Sequence, residues 1–129
     1  MIFLDSTYII GLLLKRDNFT LKSLKLEPIL ANEKKLINNT VLNEVLNSLT
    51  RINARYDLNA ILNSLYKYEI DFLTPKDYEE SINLFKYYNQ SINFSDCTIL
   101  RSMYENNIST IVSFDSDFDK INGINRIFL

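Results

Sequence analysis

An α/β fold with a mainly parallel β-sheet flanked by α-helices is what this sequence predicts, and three observations carry the prediction. Met1–Leu4 has the length and unbroken hydrophobicity of a strand buried on both faces, and Thr110–Phe114 is a β-branched and apolar run of the same kind of length. Between such runs lie stretches with apolar residues at helical spacing. Strands therefore alternate with helices, and no two of them are joined by a tight two-residue turn.

Taken in order, Met1–Leu4 is the first strand, and it stops at Asp5. Ser6 or Thr7 is expected to cap the following helix, which carries Tyr8, Ile9, Ile10, Leu12, Leu13 and Leu14. Asp17–Thr20 is turn-like. Leu21, Leu24, Ile29 and Leu30 point to a second helix that Pro28 interrupts. Lys35–Asn38 reads as the second strand, and Thr40 as the N-cap of a helix reaching about Asn53. On that helix Val41, Leu42, Val45, Leu46, Leu49 and Ile52 form one apolar face, while Glu44, Ser48, Arg51 and Arg55 share a line beside it. Asp57 caps a helix through Leu65, Ile70–Thr74 reads as the third strand, and Thr74-Pro75 opens the next helix. Ser95 or Asp96 begins a helix through Tyr104, Thr110–Phe114 is a central strand ending at Asp115, and Arg126–Leu129 closes the sheet.

Size and composition bound the chemistry. The 129 residues, 47% of them hydrophobic, suit one domain with a proper core, spanning 1–129. A net charge of -2 makes a general nucleic-acid coat improbable on electrostatic grounds, so any phosphate contact must come from a local basic patch or a bound cation. The single cysteine, Cys97, forms no intramolecular disulfide and reads as a small buried residue in a reducing compartment. No stretch approaches the ~20 apolar residues of a membrane span, and the N-terminal run has neither a basic leader nor a cleavage pattern. A cytoplasmic protein is expected.

The absences are as informative. With no histidine, the Ser-His-Asp, Cys-His and H-E-x-x-H arrangements are all unavailable. Two glycines, Gly11 and Gly123, cannot make a phosphate-cradling loop. Carboxylates and a hard metal are almost the only catalytic tools left. Parallel strands present their C-terminal ends at one edge of a sheet, and the following helices present their N-termini there too. Asp5 and Asp115 end strands, while Glu44 and Asp96 lie near helix starts, so the four can meet. Each also has a plain structural explanation, as a cap, a turn residue or a solvated helix position. Carboxylates a few ångströms apart destabilise one another unless an oxygen-seeking cation lies among them.

Asp115-Ser116-Asp117-Phe118-Asp119 resembles a calcium loop but fails as one, because Lys120 stands where glycine is needed and Arg126 where a bidentate acid is needed. Phe118 reads as a core anchor, Asp117 as an extra ligand and Asp119 as a cap. Arg51 and Arg55 either guide a phosphate backbone or form a solvated face; Lys15, Arg16 and Arg101 are further basic candidates.

Phe3–Thr7, Thr40–Glu44, Phe94–Leu100 and Ile111–Ile124, in this order and spacing, resemble the PIN-domain nucleases, and within them the VapC-type toxins of toxin–antitoxin pairs. The resemblance covers nearly the whole chain. It implies a magnesium- or manganese-dependent endoribonuclease whose catalytic, metal-binding acids correspond to Asp5, Glu44, Asp96 and Asp115, with none of the four missing. Asp117 corresponds to a position acidic in only part of the family, and Ser6 to a hydroxyl residue that often supports the first aspartate. RNA as substrate, a small antitoxin partner and a homodimer follow from the same likeness. Three readings compete with it. A haloacid-dehalogenase-like phosphatase would need a second aspartate where Thr7 stands. A housekeeping PIN nuclease in RNA processing shares the site but lacks the antitoxin. A non-catalytic interaction module would use apolar surface left by Tyr8–Leu14 and Leu21–Leu30 to bind a partner.

Overall fold

The computed structural model describes residues 1–14, 18–52 and 55–128. Its sheet has five strands: β1 (Ile2–Leu4), β2 (Lys35–Asn38), β3 (Glu69–Asp71), β4 (Thr110–Val112) and β5 (Asn125–Ile127). They stand in the order β3-β2-β1-β4-β5, and every neighbouring pair is parallel. Central β1 is buried along its whole length, which is why it is apolar at every position rather than alternating. Phe3 lies opposite both Leu36 and Ile111, and Leu4 opposite Val112, so the middle of the sheet is a layer of large apolar side chains.

The chain lays β1, β2 and β3 outward to one side, then returns to place β4 and β5 on the other. The order therefore reverses between β1 and β4. In open parallel sheets a crevice opens beyond the strand ends at such a switch point, and Asp5 and Asp115 stand just past those two ends.

Among the described residues six α-helices cover the sheet: α1 (Ser6–Leu14), α2 (Thr20–Leu26), α3 (Asn39–Leu49), α4 (Leu58–Leu65), α5 (Pro75–Tyr87) and α6 (Phe94–Glu105). Helix α6 runs through the core, with Cys97, Ile99, Leu100 and Met103 fully buried. Gly11 lets α2 approach α1 closely: a Cβ there would stand 2.5 Å from Ser23 Oγ, which donates to the Tyr8 carbonyl at 2.9 Å.

Several element boundaries differ from those expected. The N-cap of α3 is Asn38, not Thr40; its Oδ1 accepts from Val41 N–H, while its amide donates to Thr98 O and Ser102 Oγ of α6. Thr40 instead shares a hydrogen bond with the Thr98 hydroxyl. Asn93 caps α6 by accepting from Ser95 N–H, so the helix starts at Phe94 rather than at Ser95 or Asp96. Helix α1 begins at Ser6, and the Ser6 and Thr7 hydroxyls expected to cap it donate to carboxylates instead. Strand β3 ends at Asp71, because Leu73 N–H turns to Asn39 Oδ1 and Thr74 is taken up in capping α5. Beyond Val112, Ser113 Oγ and Phe114 N–H are drawn to Asp5 and Thr7. Helix α2 stops at Leu26, and Pro28 falls in the turns that follow. Strand β5 begins at Asn125; Leu129, like Lys15, Arg16, Asp17 and Asn53, lies outside the described residues.

Candidate active site

At the switch point one cavity of about 180 Å³ is lined by Asp5, Glu44, Asp96, Asp115 and Asp117, with Ser6 and Ser95 among its other walls. Asp5 follows β1, and its N–H still pairs with the Val112 carbonyl, so its position is an extension of the sheet. Only 4% exposed, its carboxylate accepts through Oδ2 from Ser113 Oγ at 2.6 Å and Thr7 Oγ1 at 3.1 Å. Burial raises its pKa, the hydrogen bonds from Ser113, Ser6 N–H and Thr7 oppose this, and the charge of Asp115 adds to it.

Glu44 sits in the second turn of α3 and takes a 2.6 Å hydrogen bond from Ser6 Oγ on Oε2. Burial is again the largest cause of its raised pKa, followed by the opposing Ser6 bond and then by Asp5 and Asp115. Asp96, in the first turn of α6, is relieved of capping by Asn93. Burial first, then the charges of Asp5, Asp115, Glu44 and Asp117, push its carboxyl up to about 7. Asp115 is the N-cap of a 3₁₀ turn, Ser116–Lys120, and accepts from Asp117 N–H through Oδ1. This turn swings Asp117 back toward the cavity and buries Phe118 completely, as expected for a core anchor.

The tightest oxygen set differs from the sequence reading. One carboxylate oxygen each from Asp96, Asp115 and Asp117 lie within 4.8 Å of one another, which promotes Asp117 from an accessory to a member of the central group. Asp5 and Glu44 lie on the walls around it. Every donor is a carboxylate oxygen, with no nitrogen or sulfur in the set, and this fits a hard divalent cation such as magnesium or manganese.

Ser6 supports Asp5 through its backbone N–H, while its hydroxyl serves Glu44. Side-chain support for Asp5 comes from Thr7 and from Ser113, a residue the sequence reading missed; a hydroxyl two positions before Asp115 was the available signal. Asp119 does not cap. It holds Arg126 in a two-pronged pair at 2.8 and 2.9 Å, and Arg126 in turn donates to Ser113 O, so β5 braces the strand end that carries the site. Arg101 is engaged with Asp77 at 3.0 Å and Glu105 at 3.1 Å and is not a free basic residue.

Arg51 lines a neighbouring cleft of about 550 Å³ with Ser6, Ile10, Leu14, Glu44 and Ser48. It lies just past α3, in a tightened turn where Arg51 N–H donates to Ser48 O. The helical line that put Arg55 beside Glu44 does not extend that far. Arg55 is exposed and belongs to none of these cavities.

Proteins of known structure share this architecture. Crystal structures of similar fold include the Mycobacterium tuberculosis VapC20, a sarcin–ricin loop cleaving toxin, at a TM-score of 0.80 and 18% identity over 100% of both chains. VapBC2 from Rickettsia felis, bound to a promoter DNA fragment, is similar at a TM-score of 0.72 and 18% identity over 100% of both chains. A toxin–antitoxin complex from Klebsiella pneumoniae matches at 0.73 and 17% identity over 96% of this chain and 95% of that one. No curated protein sequence matches the chain. The PIN domain family model matches residues 2–124, nearly the full length, and the chain belongs to the PIN domain family.

Proposed function

We propose that this chain is a divalent-metal-dependent endoribonuclease that hydrolyses RNA phosphodiester bonds at the acidic cavity, and that it is the toxin of a toxin–antitoxin pair. One observation carries the reading: five carboxylates from separate parts of the chain line a single small cavity, three of them with oxygens within 4.8 Å. Such a cluster costs stability unless a cation offsets its charge.

Asp96, Asp115 and Asp117 would hold the ion, with Asp5 and Glu44 reaching it directly or through water. When bound, magnesium or manganese supplies activation of water near neutral pH and neutralisation of the phosphodiester under attack. The chain's own residues set the geometry. Ser113 and Thr7 orient the Asp5 carboxylate, Ser6 orients Glu44, and the Asp115 cap holds Asp117 in place. With its carboxyl pushed up to about 7, Asp96 is only partly ionised near neutral pH, and because it would hold an ion as the carboxylate, affinity for the ion is expected to rise with pH. Arg51, exposed beside Glu44, draws the phosphate backbone inward.

The family supports nuclease chemistry, and a fold shared with a sarcin–ricin loop cleaving toxin supports RNA as the substrate. The folds shared with toxin–antitoxin proteins support an antitoxin partner. Leu21 and Ile29, 73% and 68% exposed on and after α2, offer apolar surface for the antitoxin or a second copy. Among the described residues no helix is long and apolar enough to cross a membrane, and this function belongs in the cytoplasm.

The test is cleavage of labelled cellular RNA with manganese or magnesium, with EDTA, and by the Asp115→Asn variant. Cleavage is expected only with metal and only in the wild type. Equal activity with and without chelator would remove the metal mechanism, and a folded wild type that cuts no RNA with either ion would leave the interaction module as the better reading.

A further inference from the structure

A third cavity, of about 290 Å³, lies beside the acids and is not used by the chemistry above. Asn43, Glu44 and Asn47 of α3, Tyr78 of α5, and Phe94 and Ser95 of α6 line it, and Glu44 and Ser95 belong to the acidic cavity as well. An occupant is therefore continuous with the reacting centre.

The walls divide by chemistry. Tyr78 is 42% exposed, and its ring stacks on Phe94 with centroids 6.2 Å apart and 29° between planes. Phe94 is braced edge-on by Phe85 at 5.8 Å and 87°. The tyrosine is thus supported from within the α5–α6 packing while its ring remains open to a ligand. Asn43 and Asn47, one helical turn apart and both exposed, have no side-chain hydrogen bond to the protein among the described residues. Each amide offers donors and an acceptor. Glu44 makes the pocket hostile to a phosphate, and among the described residues no cation lines it. An aromatic platform with amide edges and no positive charge suits a flat, neutral heterocycle with polar edges.

We propose that this pocket binds a nucleobase of the RNA next to the scissile phosphate, stacked on Tyr78 with its edge met by Asn43 and Asn47. The inference rests on the nuclease reading and specifies how that substrate is held. Arg51 lies in the cleft on the α1 side of Glu44, and Tyr78 on the α5–α6 side. Glu44 and Asn47 line both cavities, so a strand touching both passes Glu44.

Binding of a fluorescein-labelled single-stranded RNA of mixed sequence, followed by anisotropy in EDTA, separates holding from cutting. Tyr78→Ala is expected to weaken it by ~10-fold, the scale of one base–aromatic stack, and Tyr78→Phe to keep it within about twofold because the ring rather than the hydroxyl does the stacking. With manganese, KM should rise by the same ~10-fold in Tyr78→Ala while kcat stays within about twofold. Removing one base at a time from the RNA should reveal a position whose loss weakens the wild type but costs Tyr78→Ala nothing more. The same scan on Asn43→Ala, an exposed helix substitution, gives a second readout at that position. Unchanged binding and KM in Tyr78→Ala, or a base-removal penalty that persists in full in it, would overturn the pocket assignment. Manganese-dependent cleavage by the wild type would survive that result, whereas loss of that cleavage would overturn the nuclease reading itself.

Discussion

Asp96→Asn should make the metal-free protein more stable, and by an amount that grows with pH. The Asp96 carboxyl is raised from 3.8 to about 7, by burial first and then by Asp5, Asp115, Glu44 and Asp117. Between those values the folded chain holds a proton that the unfolded chain has released. Stability from this group is therefore fully present below the unfolded value, is lost as pH climbs through the window, and levels off above about 7. A rise of about three in pKa is worth ~4 kcal/mol. Asp96 is only partly buried, so solvent screening reduces this to ~2 kcal/mol, or roughly 6–10 °C in Tm for a domain of this size.

The assay is thermal melting in EDTA at several pH values from 5 to 8, for wild type and variant side by side. Asp5 and Glu44 titrate in both proteins, so the difference between the two curves is the readout. It should already be about a third of its full size at pH 5, because the loss begins near the unfolded value of 3.8, and reach its full size by pH 8, with the variant the more stable. Manganese should then raise the Tm of the wild type more than that of the variant. A variant that melts at or below the wild type at pH 8, or a difference independent of pH, would refute the claim that these acids repel one another across one cavity.

Asp5→Asn should likewise abolish metal-dependent cleavage but gain less metal-free stability than Asp96→Asn, because a badly oriented amide gives up hydrogen bonds from Ser113 and Thr7; melting in EDTA compares the two. Asp77 titrates with the opposite sign: its capping bonds to Thr74 and its pairing with Arg101 hold its pKa below the ordinary value, so that stabilisation is present at neutral pH and lost on acidification. Asp77→Ala should cost ~2 kcal/mol at pH 7 by urea denaturation and less at pH 3. Asn38→Leu leaves Val41 N–H, Thr98 O and Ser102 Oγ without their partner in a buried site, and should cost ~3 kcal/mol. Gly11→Ala should cost ~1–2 kcal/mol through overpacking, and Ser23→Ala in the same chain should recover part of it, since Ser23 Oγ is the nearest atom met.

Much of this was legible in the chain as written. Apolar runs that end in an acid, at Leu4-Asp5 and shortly after Val112, mark strands entering a polar edge, and a protein without histidine has few catalytic resources besides carboxylates. Thr74-Pro75 with Asp77 three residues on identifies the start of α5 from local chemistry alone, because every partner in that cap lies within one turn. Helix class, strand class and the four principal acids depend on such short-range patterns.

What remained for the tertiary structure was every choice among partners far apart in sequence. Ser113 and Asp5 are 108 positions apart, Ser6 and Glu44 38 apart, and which hydroxyl serves which acid follows from the sheet placing β4 and β2 on either side of β1. The same placement creates the switch point and brings Asp117 and Asp115 in beside Asp96. The packing of α6 on α5 commits Arg101 to Asp77, and the neighbouring strand β5 takes Asp119, read from the sequence as a cap, into an ion pair with Arg126. Local propensity acts over one or two turns of chain. Strand order and the pairing of buried polar groups are decided by the packing of the whole domain, where each donor takes the acceptor that the core leaves within reach.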